Sequence, residues 1–161
     1  MADTATRTIA IGADHAGYEL KDCVGTWLTA EGYQVLDLGT NGPEAVDYPD
    51  LADAVGRAVQ DGRAGRGVVV CGSGAGACIA ANKLHGIRAV LAHDTYIAHQ
   101  AVEHDDANVL CMGARIIGSA LAEEIVLAWC RAEFSGDERH QRRLDKVMAI
   151  EARENEKDAN R

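Results

Sequence analysis

No stretch of this 161-residue sequence approaches the roughly 18 consecutive apolar residues that a helix needs to cross a bilayer. Its opening, MADTATR, also lacks the charged start and apolar run of a secretory signal, so the expectation is a cytoplasmic protein with no membrane partner. Cysteine pairs are missing too. Cys23, Cys71, Cys78, Cys111 and Cys130 are odd in number, scattered and without a CxxC pair, which argues against a disulfide framework and against a zinc site. His93, His99 and His104 lack the HExxH arrangement of a metal-binding helix, so no metal is expected. Positive charge is scarce: 16 Lys and Arg face 25 Asp and Glu, a formal charge of −9. Nucleic acid is therefore not an expected partner, and an anionic ligand would need its own cluster of cations. No linker, repeat or low-complexity stretch divides the chain. With 47% hydrophobic residues it can bury roughly two-thirds of its unfolded surface, which predicts a single domain over 1–161 with disordered tails at about 1–6 and 154–161.

What the sequence does have is alternation. Short β-branched runs take turns with amphipathic stretches, the signature of βαβ units around a parallel sheet. The pattern predicts strands near Thr8 to Ala13, Gln34 to Leu38, Gly67 to Cys71, Arg88 to Ala92 and Asn108 to Met112. A first helix runs from about Gly17 to Glu31, with Tyr18, Leu20, Cys23, Val24, Trp27 and Leu28 on its apolar face and Gly32 as its stop. A second runs from about Leu51 to Asp61 with Asp50 as N-cap, and further helices begin near Ala75, Thr95 and Ser119. After Phe134, Ser135 or Asp137 caps a last helix whose basic face is Arg139, His140, Arg142 and Arg143. The polar ENEKDANR beyond Arg153 reads as a fraying tail.

In open α/β sheets ligands bind beyond the carboxyl ends of the strands, so the loops there are where chemistry is sought. The sharpest is GVVVCGSGAGACIAANK, which runs from a strand through Gly72, Ser73, Gly74, Ala75 and Gly76 into a helix. Such a turn aims backbone N–H groups at one spot and can hold an anion or an oxygen that gains charge. Its glycines also fit a plain tight turn, or a dinucleotide site with Asp94 on the ribose, although GxGxG after a third strand differs from GxGxxG after a first. Cys71 precedes the turn, where N–H donors favour a thiolate; a buried hydrophobe is the other reading. Asp14 and His15 lie in the first loop, as ligand contacts or as a helix cap and a solvated ring, and Asp47 and Tyr48 precede Pro49 in a possible turn. His104 stands at a helix end. Arg139 and Arg143, four apart and so on one helix face, can grip one phosphate or form a solvated stripe.

Together ADHAGYELK, DYP, VVVCGSGAGACIAANK, GIRAV, HDDANVL, GARIIG and RHQRR resemble ribose-5-phosphate isomerase type B and its galactose-6-phosphate isomerase relatives, from about Thr8 to Ile150. The resemblance implies a Rossmann-like three-layer α/β/α sandwich with a five-stranded parallel sheet and an extra C-terminal helix. It also implies a homodimer, with a tetramer left open, whose active sites lie between subunits, and an aldose–ketose isomerase that needs no cofactor. Cys71 matches the family's base. A second branch uses a glutamate in the glycine loop, where this chain has Ala77. By the same resemblance Ser73 and the N–H groups of Gly72, Gly74 and Gly76 line the enediolate pocket, and His104 helps open the sugar ring. Asp14 and Tyr48 contact sugar hydroxyls. His15 and Arg115, with Arg139 and Arg143 from the partner, grip the phosphate. One position departs: Asp105 stands where the family commonly has asparagine. A carboxylate accepts hydrogen bonds but cannot donate them, so the sugar that fits is open among ribose 5-phosphate, allose 6-phosphate, galactose 6-phosphate and a tetrulose 4-phosphate. A non-catalytic sugar-phosphate or nucleotide-binding module is the alternative from another class.

Overall fold

The β-branched runs fold as five parallel strands in the computed structural model, which describes residues 7–159. They are β1 (Thr8–Ala13), β2 (Gln34–Asp37), β3 (Arg66–Cys71), β4 (Ala89–Leu91) and β5 (Val109–Gly113), in the sheet order β2-β1-β3-β5-β4. Between and after them come α1 (Tyr18–Ala30), α2 (Tyr48–Gln60), α3 (Ala75–Ala81), α4 (Thr95–Asp105), α5 (Ser119–Arg131) and α6 (Glu138–Ala159). The two-residue period of a strand sends alternate side chains to opposite faces, so β3 feeds two cores at once. Val68 and Val70 join Leu20, Val24, Leu28, Ile125 and Trp129 beneath α1, α4 and α5. Val69 and Cys71 join Ala52, Val55, Ala77 and Ala81 beneath α2 and α3. This is the three-layer α/β/α sandwich of a Rossmann-like fold, with α6 added. No helix among the described residues is long and apolar enough to cross a membrane.

Strand order reverses between β1 and β3: the chain leaves β1 for α1 on one face and β3 for α3 on the other. Their diverging loops open a crevice at the carboxyl edge, the usual place for a ligand. Close crossing there requires glycine. A Cβ on Gly17 would lie 2.6 Å from the Val70 carbonyl oxygen, so the start of α1 passes over β3 only without a side chain.

Three helices, α1, α2 and α6, differ from expectation. The second helix begins at Tyr48, because Pro49 in its first turn presets helical φ; Asp47 takes the N-cap position and Asp50 falls inside the first turn. Lys21 is fully buried between the apolar residues of α1. His140 turns inward, 2% exposed, instead of sharing the basic face of α6. The last helix continues through Ala159, since Glu, Ala, Lys and Arg are good helix formers and Lys157 pairs with Glu154; the expected tail at 154–161 is helical as far as it is described. Residues 1–6 lie outside the described residues.

Candidate active site

The Gly72–Gly76 turn wraps the sulfur of Cys71. Gly74 N–H donates to Cys71 Sγ at 3.1 Å, and Gly74 adopts a φ of 80°, a left-handed conformation that glycine enters without strain and that leads the chain into α3. Ser73 Oγ accepts from Ala75 N–H at 3.3 Å, and α3 starts immediately after. The first N–H groups of a helix have no intrahelical acceptor, so those of Gly76 and Ala77 remain donors at this end. Cys71 itself is 4% exposed, at the floor of a cavity of about 330 Å³.

Three other loops complete that cavity. Asp14, after β1, is buried; its carboxylate accepts from Ala16 N–H at 2.9 Å and keeps its other oxygen available. Tyr48, at the start of α2, lies over Gly76 so closely that a Cβ there would be 2.6 Å from the ring. Arg115, after β5, extends its guanidinium over Gly72, and the backbone N–H of Arg115 donates to the Gly72 carbonyl at 3.0 Å. The cavity thus gathers Asp14, Tyr48, Cys71, Ser73 and Arg115 with the backbone of Gly72 and Gly76. His15 is nearby, where its Nδ1 accepts from Val46 N–H at 3.3 Å, but it does not line the cavity. Ile116, 58% exposed, does line it and was not singled out from the sequence; its place directly after Arg115 in the GARIIG loop is the signal that locates it. Cys78 lies outside the cavity, where a hydrogen bond from Cys111 brings its thiol down to about 7.

The remaining expected site residues form a second group at the other edge of the sheet. Helix α4 runs back against the strand direction, so its last residues lie where strands begin, and Arg88, just before β4, donates to the Asp105 carbonyl at 3.2 Å. His104 stacks on His140 with ring centroids 4.0 Å apart. Burial and the neighbouring His104 hold His140 below the usual imidazole range. Arg139 and Arg143 stand exposed on the first turns of α6. Within one chain these four residues do not meet the Cys71 cavity.

The described residues contain no cluster of three His, Cys, Asp or Glu side chains able to hold a metal ion. What the cavity offers is proton transfer: a thiol, a carboxylate, a phenol and a hydroxyl around donors for a developing oxyanion, with one guanidinium for an anionic group.

Known proteins carry the same arrangement of chain. The sequence is 44% identical over 149 residues to ribose-5-phosphate isomerase B of Escherichia coli, covering 92% of this chain and 99% of that one. It is 45% identical over 130 residues to D-erythrulose-4-phosphate isomerase of Pectobacterium atrosepticum, covering 80% and 86%. The solved structure of Clostridium thermocellum ribose-5-phosphate isomerase B superposes with a TM-score of 0.88 at 47% identity, covering 91% of this chain and 98% of that one. The ribose/galactose isomerase family model matches residues 9–147, a span that takes in the glycine turn around Cys71 and the RHQRR segment alike, and the chain belongs to that family.

Proposed function

We propose that this protein interconverts a phosphorylated aldose and its ketose, with ribose 5-phosphate and ribulose 5-phosphate as the pair, by moving a proton with Cys71. The observation that carries the reading is the Cys71 sulfur on the cavity floor with the Gly74 N–H on it and Ser73, Asp14 and Arg115 at the walls. The Cys71 thiolate removes the proton on the carbon beside the carbonyl. The electron pair moves to the carbonyl oxygen, and the enediolate so formed is met by Ser73 and the turn's N–H groups. The thiol then returns the proton to the former carbonyl carbon, while the new carbonyl forms on the carbon that lost it and that carbon's hydroxyl proton passes to the first oxygen. Tyr48 and Asp14 hold the sugar hydroxyls, and Arg115 with His15 takes part of the phosphate charge.

The second group of residues joins the reaction from another copy of the chain. Strand β4 forms one edge of the sheet, and the helices beside it, α3 and α4, present Ile79 and Tyr96 at 64% and 70% exposure. A two-fold axis that packs these edges antiparallel brings the carboxyl edge of one sheet to the amino edge of the other. His104 of the second subunit then opens the sugar ring at the Cys71 cavity of the first, and Arg139 and Arg143 complete the phosphate grip. This supports a homodimer with shared sites.

Asp105 favours a second reading of the substrate, because it puts a carboxylate beside His104 where the family resemblance implies an amide. A relative at 45% identity bears the name of a four-carbon ketose phosphate isomerase. Comparing kcat/KM for ribose 5-phosphate, allose 6-phosphate, galactose 6-phosphate and erythrulose 4-phosphate separates the substrates. The chemistry is tested by Cys71→Ala, expected to abolish turnover while sugar-phosphate binding persists; unimpaired turnover would refute the proposal. A non-catalytic binding module would leave the proton beside the carbonyl unexchanged in heavy water.

A further inference from the structure

Two imidazoles lie face to face where the end of α4 meets the start of α6. The rings of His104 and His140 have centroids 4.0 Å apart and planes 28° from parallel. They differ in exposure, 32% for the His104 side chain against 2% for His140. His140 Nδ1 lies 2.6 Å from Ser135 Oγ, which itself accepts from Asp137 N–H at 3.2 Å. Ser135 Oγ and Nδ1 can share a proton in either direction, and in both cases the contact fixes the ring and leaves Nε2 without a share in it. That Nε2 is buried with no partner. Ser135 N–H also donates to the Glu103 carbonyl at 3.0 Å, tying the turn before α6 to the residue that precedes His104.

A buried nitrogen without a partner is a cost that phenylalanine in the same slot would avoid. An imidazole there does something a bystander need not: it supplies a flat face, held in rotation by Ser135, against which His104 rests. Burial, His104 and Arg139 lower the proton affinity of His140 from the ordinary imidazole value, which favours the neutral form of the supporting ring. A neutral face tolerates a cation on the adjoining ring, whereas a second cation would repel it. The other charged groups at this junction are Glu103 on α4, 3.8 Å from His104 Nε2, and Asp137, Arg139 and Arg143 around α6.

We propose that His140 is a positioning residue for sugar-ring opening, fixing the plane of the His104 imidazole by stacking, with Ser135 setting the rotation of His140. In that step the anomeric hydroxyl gives up its proton, the bond from the anomeric carbon to the ring oxygen breaks, and the ring oxygen gains a proton. His104 exchanges the proton and nothing else is consumed. The inference rests on His104 as the ring-opening residue of the isomerase proposed above.

Ribulose 5-phosphate cannot close a five-membered ring, because the hydroxyl it would use carries the phosphate. Deuterium wash-in at its C1 from heavy water therefore reports proton transfer without ring opening, whereas turnover of ribose 5-phosphate reports both. His140→Ala is expected to lower ribose 5-phosphate kcat roughly tenfold or more, a usual consequence of a misplaced catalytic group, with wash-in close to wild type. His140→Phe restacks a ring without the hold from Ser135 and recovers part of the loss, to about the level of Ser135→Ala. His104→Ala is the control for the underlying assignment: if it lacks this split, the role of His104 fails. If His104→Ala shows the split while His140→Ala impairs both readouts equally, or neither, positioning by His140 is overturned. Should the alanine variant not fold, His140→Phe and Ser135→Ala decide: a phenylalanine variant that loses ribose 5-phosphate turnover well beyond Ser135→Ala with wash-in intact also overturns it.

Discussion

Lys21 carries its charge into the one stripe of α1 that should have none. It lies three residues before Val24 and seven before Leu28, at the spacing of the helix's buried face, and its ammonium is fully enclosed. Three partners meet it there: Asp37 at the end of β2, Asp22 at 3.0 Å and Asn41 at 3.1 Å. The network pins the loop after β2 on one side, while His15 holds Val46 on the other, and Tyr48 follows directly into the cavity. Removing Asp37 leaves the buried ammonium with only Asp22 and Asn41 to offset its desolvation, which costs more than removing the charge itself. Asp37→Ala is therefore expected to lower stability by about 2–3 kcal/mol, below the usual ~3–5 for a fully buried pair because Asp37 is 41% exposed. Lys21→Met, which fills the stem without the charge, should cost less. Denaturant midpoints measured side by side check the order; a more stable Asp37→Ala would sink this account. Reading the sequence, Lys21 passes as a surface lysine, since its stripe position shows but Asp37 and Asn41 come from elements that only the fold brings near.

At the scale of the element, the glycine turn and helix α3 act as one unit in which neighbouring glycines have unlike duties. A Cβ on Gly74 would meet Leu91 Cδ1 at 2.5 Å and the Met112 backbone carbon at 2.8 Å, at a φ that side chains resist. Gly74→Ala should cost at least about 2 kcal/mol and loosen the hydrogen bond to Cys71 Sγ. At Gly76 the obstacle is only the ring of Tyr48, which is 40% exposed and free to swing outward. Gly76→Ala should hold stability within about 1 kcal/mol, helped by alanine's helix propensity, yet raise KM several-fold as the ring leaves the cavity. Thermal melts and steady-state kinetics on the two variants separate these outcomes, and an unchanged KM in Gly76→Ala contradicts the role given to Tyr48. The turn was legible because Gly, Ser and Ala after a run of valines admit few other structures. All five strands were legible for the same local reason. The start of α2 and the length of α6 were misread where a polar or acidic residue was taken as a boundary although Pro49, or helix-favouring Glu, Ala and Lys, carried the helix onward.

For the whole molecule, the family resemblance implied sites between subunits with Arg139 and Arg143 from the partner, but it assigned no subunit to His104 and Asp105, which one chain holds apart from Cys71. That separation follows from direction alone. A helix that leaves the carboxyl end of β4 must finish at the opposite edge, so His104 and Asp105 cannot lie beside Cys71 of the same sheet. A shared site in a two-fold dimer makes a numerical prediction. Cys71→Ala and His104→Ala are each expected to be poor enzymes on ribose 5-phosphate. Co-expressed in equal amounts, they form hybrids as half of all dimers, and every hybrid contains one site with both defects and one with neither. Activity should therefore recover to about a quarter of wild type, a gain that closed two-fold symmetry allows. If each site were built within one chain, every site in the mixture would carry one defect and no activity would return. A dead mixture of well-folded hybrids would thus overturn the shared site, and with it the reason for placing Arg139 and Arg143 on the phosphate.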